Sequence, residues 1–372
     1  MKRLYIVSGH YFDFDQKKPT IGGVQTYITD LVPIFKNNGF EKITIFVADK
    51  DLRSYECMDY KIVSYNLVED KTFFENLARF VKDHIEEPDD LVLYDTDERL
   101  PSKFYFKNLV ALQHGICWDI PYETRHSLAR MVLARALKTY KRVLKYQYTK
   151  ALVCVDYNFV NWYRTQVDCV KTKLFVIPNN TRIAPLLTKD NDKLNIMFAR
   201  RLCWYRGTRV FLDAIKKILA EYSNITVTVA GDGPDEELMH KELDKYDNVN
   251  FIKYKSDESL QIHSDKHIAI VPTVGSEGTS LSLLEAMSAQ CAVVATNVGG
   301  MTNIILDGYN GLFANAGDSQ DLYVKIKRLL DSPELMKSIA SKGYESVKMS
   351  FSHERWEADW NDAISSIKKV LY

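Results

Sequence analysis

No stretch of this 372-residue chain reaches the roughly 20 consecutive apolar residues that a membrane-crossing helix needs. Its first residues, MKRLYIVSGHYF, do not follow the pattern of a secretion signal. They read as a buried opening strand: two charges, a short apolar run, then Gly9. An excess of one charge sign is also missing. Lys and Arg total 49 and Asp and Glu total 49, which speaks against a generic nucleic-acid binder but allows a local basic patch. Cysteine is sparse: Cys57, Cys117, Cys154, Cys169, Cys203 and Cys291 form no CxxC pair. With Cys154 and Cys291 in apolar runs, they read as reduced thiols of a cytoplasmic protein. The histidines and cysteines show no Cys/His ligand spacing, so no metal site is legible. There is no internal repeat and no low-complexity tract.

What is present is an alternation. Short apolar runs (RLYIVS, KITIFVA, DLVLYD, NLVALQ, ALVCVD, LFVIP, then LNIMFA, ITVTVAG, VNFI, HIAIVPT, CAVVATN) are separated by longer segments with helical periodicity. The runs are continuously apolar, as expected of parallel strands covered on both faces. The length exceeds what one core serves. The α/β pattern therefore predicts two doubly wound, Rossmann-like domains, 1–180 and 181–351. The break falls in a linker at 178–193, rich in Pro, Asn and Asp. A last amphipathic helix over 352–372, with Ser352 as its N-cap and Trp356, Trp360, Ala363, Ile364 and Ile367 on its apolar face, is expected to pack back on the first domain.

In an open parallel sheet, ligands bind where strands end and helices begin. HIAIVPT is followed by VGSEGTSL and then by a helical run, so free N–H groups would point into that loop and attract phosphate. Glu277 falls in the loop and Glu285 one turn inside the helix. A plainer reading competes: Ser282 to Glu285 fits a capping box. Arg201 and Arg206 sit at the turn after LNIMFA, where guanidinium groups can fork onto a diphosphate or simply face water. AGDGP makes a tight turn ahead of a helix. Gly22 and Gly23 precede a helix, where a glycine pair allows close approach of an anion. His114 follows the strand NLVALQ in ligand position, although a lone histidine is more often structural.

Together these stretches resemble glycosyltransferase family 4: GT-B fold, retaining, nucleotide-sugar-dependent. The E-x7-E element from Glu277 to Glu285 carries most of the resemblance. ARRL…RG, AGDGP, VATNVGGMTNII, DGYNGLF, GGVQTYI and VIPNN stand around it in the family's order. The resemblance implies two domains facing across a cleft, donor on the C-terminal side and acceptor on the N-terminal side. By it, Glu285 would hold the ribose hydroxyls, and Glu277 would lie near the donor sugar. Arg201 and Arg206 would neutralise the diphosphate leaving group. Gly278, Thr279, Ser280 and Leu281 would present amides to the phosphates. Gly22 and Gly23 would approach the phosphates from the other domain, and His114 the transferred sugar. Two departures stand out: Arg206 replaces the family's usual lysine, and Gly278-Thr279-Ser280 replaces Gly-Phe-Gly.

The chemistry implied is metal-independent and needs no cofactor beyond the nucleotide-diphosphate sugar as co-substrate. Bond breaking puts negative charge on the diphosphate, which two arginines and a helix end would stabilise. The acceptor would be a glycan or lipid-linked glycan in cell-surface polysaccharide assembly, met by the loops 8–20 and 115–126. Backbone contacts near 250–256 would read the base, leaving uridine, guanosine and adenosine donors open. Another GT-B enzyme, such as an epimerase, and a non-catalytic partner subunit are the alternatives.

Asp95-Thr96-Asp97 could be the metal clamp of the GT-A fold but fits a polar strand-end turn better. Residues 124–150 hold eight Lys or Arg and no acid. Arg135, Lys138, Lys141, Arg142 and Lys145 share one helical face, and Leu133, Leu137, Tyr140 and Leu144 another. The pattern fits a core helix with a solvated basic side. It equally fits docking on an anionic membrane, which would place the enzyme peripherally on the inner face of the cell membrane.

Overall fold

The computed structural model describes residues 2–20, 22–57, 59–115, 127–167, 171–186, 189, 193–275 and 277–371. Cys117, Cys169, most of the loop 115–126 and part of the linker 178–193 lie outside them. Two compact units form. The first takes Met1–His114, Thr124–Ile177 and Glu357–Tyr372; the second takes Gly115–Glu123 and Pro178–Trp356.

The first unit is built on an eight-stranded sheet. Its order is Lys173–Val176, Ala151–Cys154, Asn108–Gln113, Leu91–Tyr94, Lys2–Val7, Phe40–Ala48, Lys61–Tyr65, Ser54–Glu56. Every pairing is parallel except that of Ser54–Glu56 with Lys61–Tyr65. The chain runs outward from Lys2–Val7 in one direction, then returns to run outward in the other.

The second unit repeats the plan with six parallel strands: Val249–Ile252, Ile225–Ala230, Leu194–Ala199, Ile268–Val271, Ala292–Thr296, Leu312–Ala314. Alternate residues of one strand feed two cores. Ile196 and Phe198 pack with Phe211 and Ile215 of the helix Thr208–Glu221, and with Leu322 and Ile326 of the helix Ser319–Leu330. Met197 and Ala199 face Leu283, Leu284 and Met287 of the helix Leu281–Ser288. Continuous apolar runs are what this two-sided burial demands.

The last helix, His353–Leu371, begins in the second unit and continues into the first. Ser352 Oγ accepts from Arg355 N at 3.3 Å, an N-cap bond. Trp356, Trp360, Ala363, Ile364 and Ile367 are all buried. Trp360 is fully buried, and its indole N–H donates to Tyr27 Oη at 2.9 Å. Cys57, Cys154, Cys203 and Cys291 are free thiols. No helix among the described residues is long and apolar enough to cross a membrane.

Trp360→Ala should empty a site in the first unit's core and cost about 3–5 kcal/mol, read as a lowered urea midpoint. A loss under about 1 kcal/mol would show that the last helix contributes little to that core.

Candidate functional site

In the second unit the strand order reverses between Leu194–Ala199 and Ile268–Val271, the place where open α/β sheets bind ligands. Arg200 is the first residue past one strand; Pro272 and Thr273 follow the other. Gly207 joins the two exits. Its φ is +85°, and a Cβ there would lie 1.8 Å from the Pro272 carbonyl oxygen. Only glycine lets this turn close. Val274 N then donates to Tyr205 O at 2.9 Å, and Arg206 is brought over the loop.

The centre of the site is one oxygen. Glu277 Oε2 accepts from Thr273 Oγ1 at 2.9 Å, from Arg200 Nη2 at 2.9 Å, and from Arg206 Nη1. Arg200 also donates to Thr273 Oγ1 at 2.8 Å. Burial alone would push the Glu277 carboxyl up; Arg200, Arg206 and the threonine hydroxyl hold it below the usual carboxylate range. Burial draws the Arg200 guanidinium down, and Glu277 offsets this. Two guanidinium groups against one carboxylate leave one positive charge in excess. Arg200 Nε has no acceptor among the described residues.

Arg200, which the sequence reading did not single out, joins Arg206 on Glu277. Arg201 is exposed, and its side chain joins no hydrogen bond or ion pair among the described residues. The strand ends at Ala199, so the next residue drops into the crevice and the one after it turns to solvent.

The loop after Glu277 is clamped by backbone. Gly300 N donates to Glu277 O at 3.0 Å. Gly299 has φ +51°, and a Cβ on it would stand 2.0 Å from that same oxygen. Asn179 Nδ2 donates to Thr279 O at 2.8 Å. Thr279 and Ser280 are buried, and Gly278 is half-buried. The helix starts at Leu281, with Ser280 as N-cap making no side-chain capping bond and no acid in the first turn. A helix end of this kind favours negative charge. Glu285, fifth in the helix, does not form the capping box. Its Oε2 accepts from Ser259 Oγ at 2.6 Å, and burial raises its carboxyl. Tyr254 lies near enough for Glu285 to help burial push its hydroxyl up to about 12.

The remaining candidates belong to the first unit. Gly22 is the N-cap of the helix Gly23–Asn37, again without a side-chain cap or first-turn acid. His114 follows the strand Asn108–Gln113; burial takes its ring down to about 4, so it is neutral near pH 7. Its ring meets Tyr27 edge-on at 5.2 Å, and Nε2 has no partner among the described residues. Asp95 and Asp97 turn inward. Asp95 accepts from Ser8 Oγ at 2.5 Å, while Asp97 takes Tyr146 Oη and lies 3.6 Å from Arg142 Nε. This is the polar strand-end turn, with both carboxylates engaged.

Of the two readings of the helix Leu128–Tyr146, the core helix does not form. Leu133, Leu137 and Tyr140 are 62%, 53% and 62% exposed. Arg142 and Lys145 leave the basic face for the protein body, the first pairing with Glu98 at 3.1 Å and the second lying 4.1 Å from the Phe74 ring centre. Arg130, Arg135, Lys138 and Lys141 stay exposed.

Residues 180–346 match the family model for glycosyl transferases group 1. Over these residues the second unit is similar to a group 1 glycosyltransferase domain. Over 95% of both chains, the protein is 25% identical to an uncharacterized glycosyltransferase of Methanocaldococcus jannaschii. It is 23% identical to the phosphatidyl-myo-inositol mannosyltransferase of Mycolicibacterium smegmatis, over 94% of this chain and 89% of that one. Sucrose-phosphate synthase from Thermosynechococcus elongatus superposes with a TM-score of 0.77 at 16% identity, covering 99% of this chain and 100% of the other. HepE from Anabaena, solved with UDP, gives 0.70 at 16% identity over 98% and 100%. The fold these superpositions show is GT-B.

Glu277→Gln should strand the buried Arg200 charge and cost about 3–5 kcal/mol in urea unfolding, whereas Arg201→Ala should stay within about 0.5 kcal/mol. Because the Glu277 carboxyl is lowered from 4.5, its contribution should be complete above pH about 4.5 and fade as pH falls below it. Equal losses from the two variants would place the structural arginine at 201 after all.

Proposed function

We propose that this protein is a retaining glycosyltransferase that takes a sugar from a nucleoside-diphosphate donor without a metal ion. The observation that carries the reading is the positive excess of Arg200 and Arg206 over Glu277, set beside an uncapped helix end at the switch point. A diphosphate there meets two guanidinium groups and the amides from Gly278 to Leu281. As the bond to the anomeric carbon breaks, the charge gathering on the leaving oxygen finds donors already in place. Arg206, the more exposed of the two, can turn from Glu277 to the phosphate, while Arg200 keeps Glu277 ionised. Glu277 then receives the donor sugar's hydroxyls, and Glu285 the ribose diol. His114, neutral near pH 7, is assigned to the sugar as a hydrogen-bonding group rather than a proton donor. Gly22 and Gly23 are assigned to the phosphates.

For the acceptor we propose a glycan or lipid-linked glycan of cell-surface polysaccharide assembly, on the cytoplasmic face of the membrane. Relatives named phosphatidyl-myo-inositol mannosyltransferase and capsular polysaccharide biosynthesis glycosyltransferase support this. So does the helix Leu128–Tyr146, whose bare leucines lie beside exposed Arg130, Arg135, Lys138 and Lys141. Each basic residue near an anionic surface adds about 1 kcal/mol, and the leucines can enter the headgroup boundary.

Two measurements test these assignments. In a thermal-shift screen with UDP, GDP, ADP and CMP, one diphosphate at 100 times its dissociation constant should add about 2.7 kcal/mol without added metal. Glu285→Ala should abolish that shift; a shift that requires magnesium or survives the substitution would sink the reading. In co-sedimentation, the protein should bind phosphatidylglycerol vesicles and release them in high salt, and Leu133→Glu with Leu137→Glu should stop binding while leaving the melting temperature unchanged. Equal binding to neutral phosphatidylcholine vesicles would overturn the role of the basic face.

A further inference from the structure

Glu285 has one hydrogen-bond donor among the described residues, and it comes from a segment with no motif. Ser259 Oγ stands 2.6 Å from Glu285 Oε2. Ser259 is 2% exposed and opens the short helix Ser259–His263. Its backbone is fixed from within that helix: His263 Nδ1 lies 2.7 Å from the Ser259 carbonyl oxygen, which can only accept, so Nδ1 carries the proton. His263 is itself buried, with Cys291 Sγ 3.6 Å from its carbonyl oxygen. A serine hydroxyl held this firmly has no structural debt to settle elsewhere. The described residues give it a single acceptor, the carboxylate at the fifth position of the next helix.

We propose that Ser259 is a positioning residue that fixes the Glu285 carboxylate for recognition of a ribose diol. The inference rests on the reading that Glu285 receives the ribose. A carboxylate oxygen presents two lone-pair directions. With Ser259 on one side of Oε2, the other side of Oε2 and the whole of Oε1 are left to two vicinal hydroxyls. A carboxylate free to rotate about its last bond would meet the diol in many orientations; one pinned by a buried donor meets it in one. The consequence is discrimination against nucleotides that lack those hydroxyls, because a carboxylate set for them loses both bonds at once.

The test uses the full chain and isothermal titration calorimetry with UDP, GDP and ADP, each against its 2′,3′-dideoxy counterpart. The wild type should prefer the ribonucleotide of its cognate base by about 100-fold, the scale of one or two hydrogen bonds to a charged group. Glu285→Gln should remove most of that preference. Ser259→Ala should cut it about tenfold by weakening the ribonucleotide alone, with the dideoxy affinity unchanged. Ser259→Thr should restore the preference. Ser259→Cys, close in volume but a poor donor, should match alanine and guards against a packing defect in the smaller variant. A preference that stays whole in both Ala and Cys variants overturns the positioning role, as does an equal loss for both members of a nucleotide pair. A wild type that binds a diphosphate with no regard for the ribose hydroxyls overturns the ribose reading itself, and the role of Ser259 with it.

Discussion

One carboxylate oxygen organises the second unit. Glu277 Oε2 collects Thr273, Arg200 and Arg206 at the point where the strand order reverses, and much of the surrounding backbone can be understood as what brings three donors to one atom. Arg200 could not be buried as it is without an anion beside it, since an unpaired interior charge costs far more than its contacts return. Gly207 lets one strand exit touch the other. Gly299 and Gly300 let a neighbouring segment press against the Glu277 main chain. Each is a backbone accommodation to the same electrostatic centre.

The centre is unbalanced by design of its residues. A neutral pair would be satisfied and indifferent to an anion; two cations on one carboxylate are not. The half-exposed member can exchange a partner while the buried one holds the framework. That division between a fixed and a movable arginine gives preorganisation on one side and adaptability on the other, which an electrostatic stabiliser of a developing charge requires.

Much of this was legible beforehand, and the misses have physical reasons. All eleven apolar runs became strands; in the nine away from the edges, two-sided burial writes itself into sequence, while Lys173–Val176 and Val249–Ile252 are half-exposed edge strands. Ser54–Glu56, Lys61–Tyr65 and Leu312–Ala314 escaped notice. They lie at or beside sheet edges and are short, two of them only three residues long. The buried Arg200 was missed, because adjacent identical residues give no pattern by which to choose the one that meets Glu277; only the strand's end decides. The Leu128–Tyr146 periodicity was correct, but periodicity says which residues share a face and not whether protein covers it. Ser259 had no signal at all: a serine early in a short helix is ordinary until its partner, 26 residues on, is seen.

The last helix has a consequence for how the chain is made. The first unit's core includes Trp360, Ile364 and Ile367, which leave the ribosome after the whole second unit. Residue 177 and residue 357 are separated by about 180 positions, roughly 10–40 s of synthesis at 5–20 residues per second. Through that interval the nascent first unit holds an uncovered apolar surface near Tyr27 and Phe35. The second unit needs nothing made after Trp356 and can finish first. The early half of the chain can therefore complete its core only after the later half has been made.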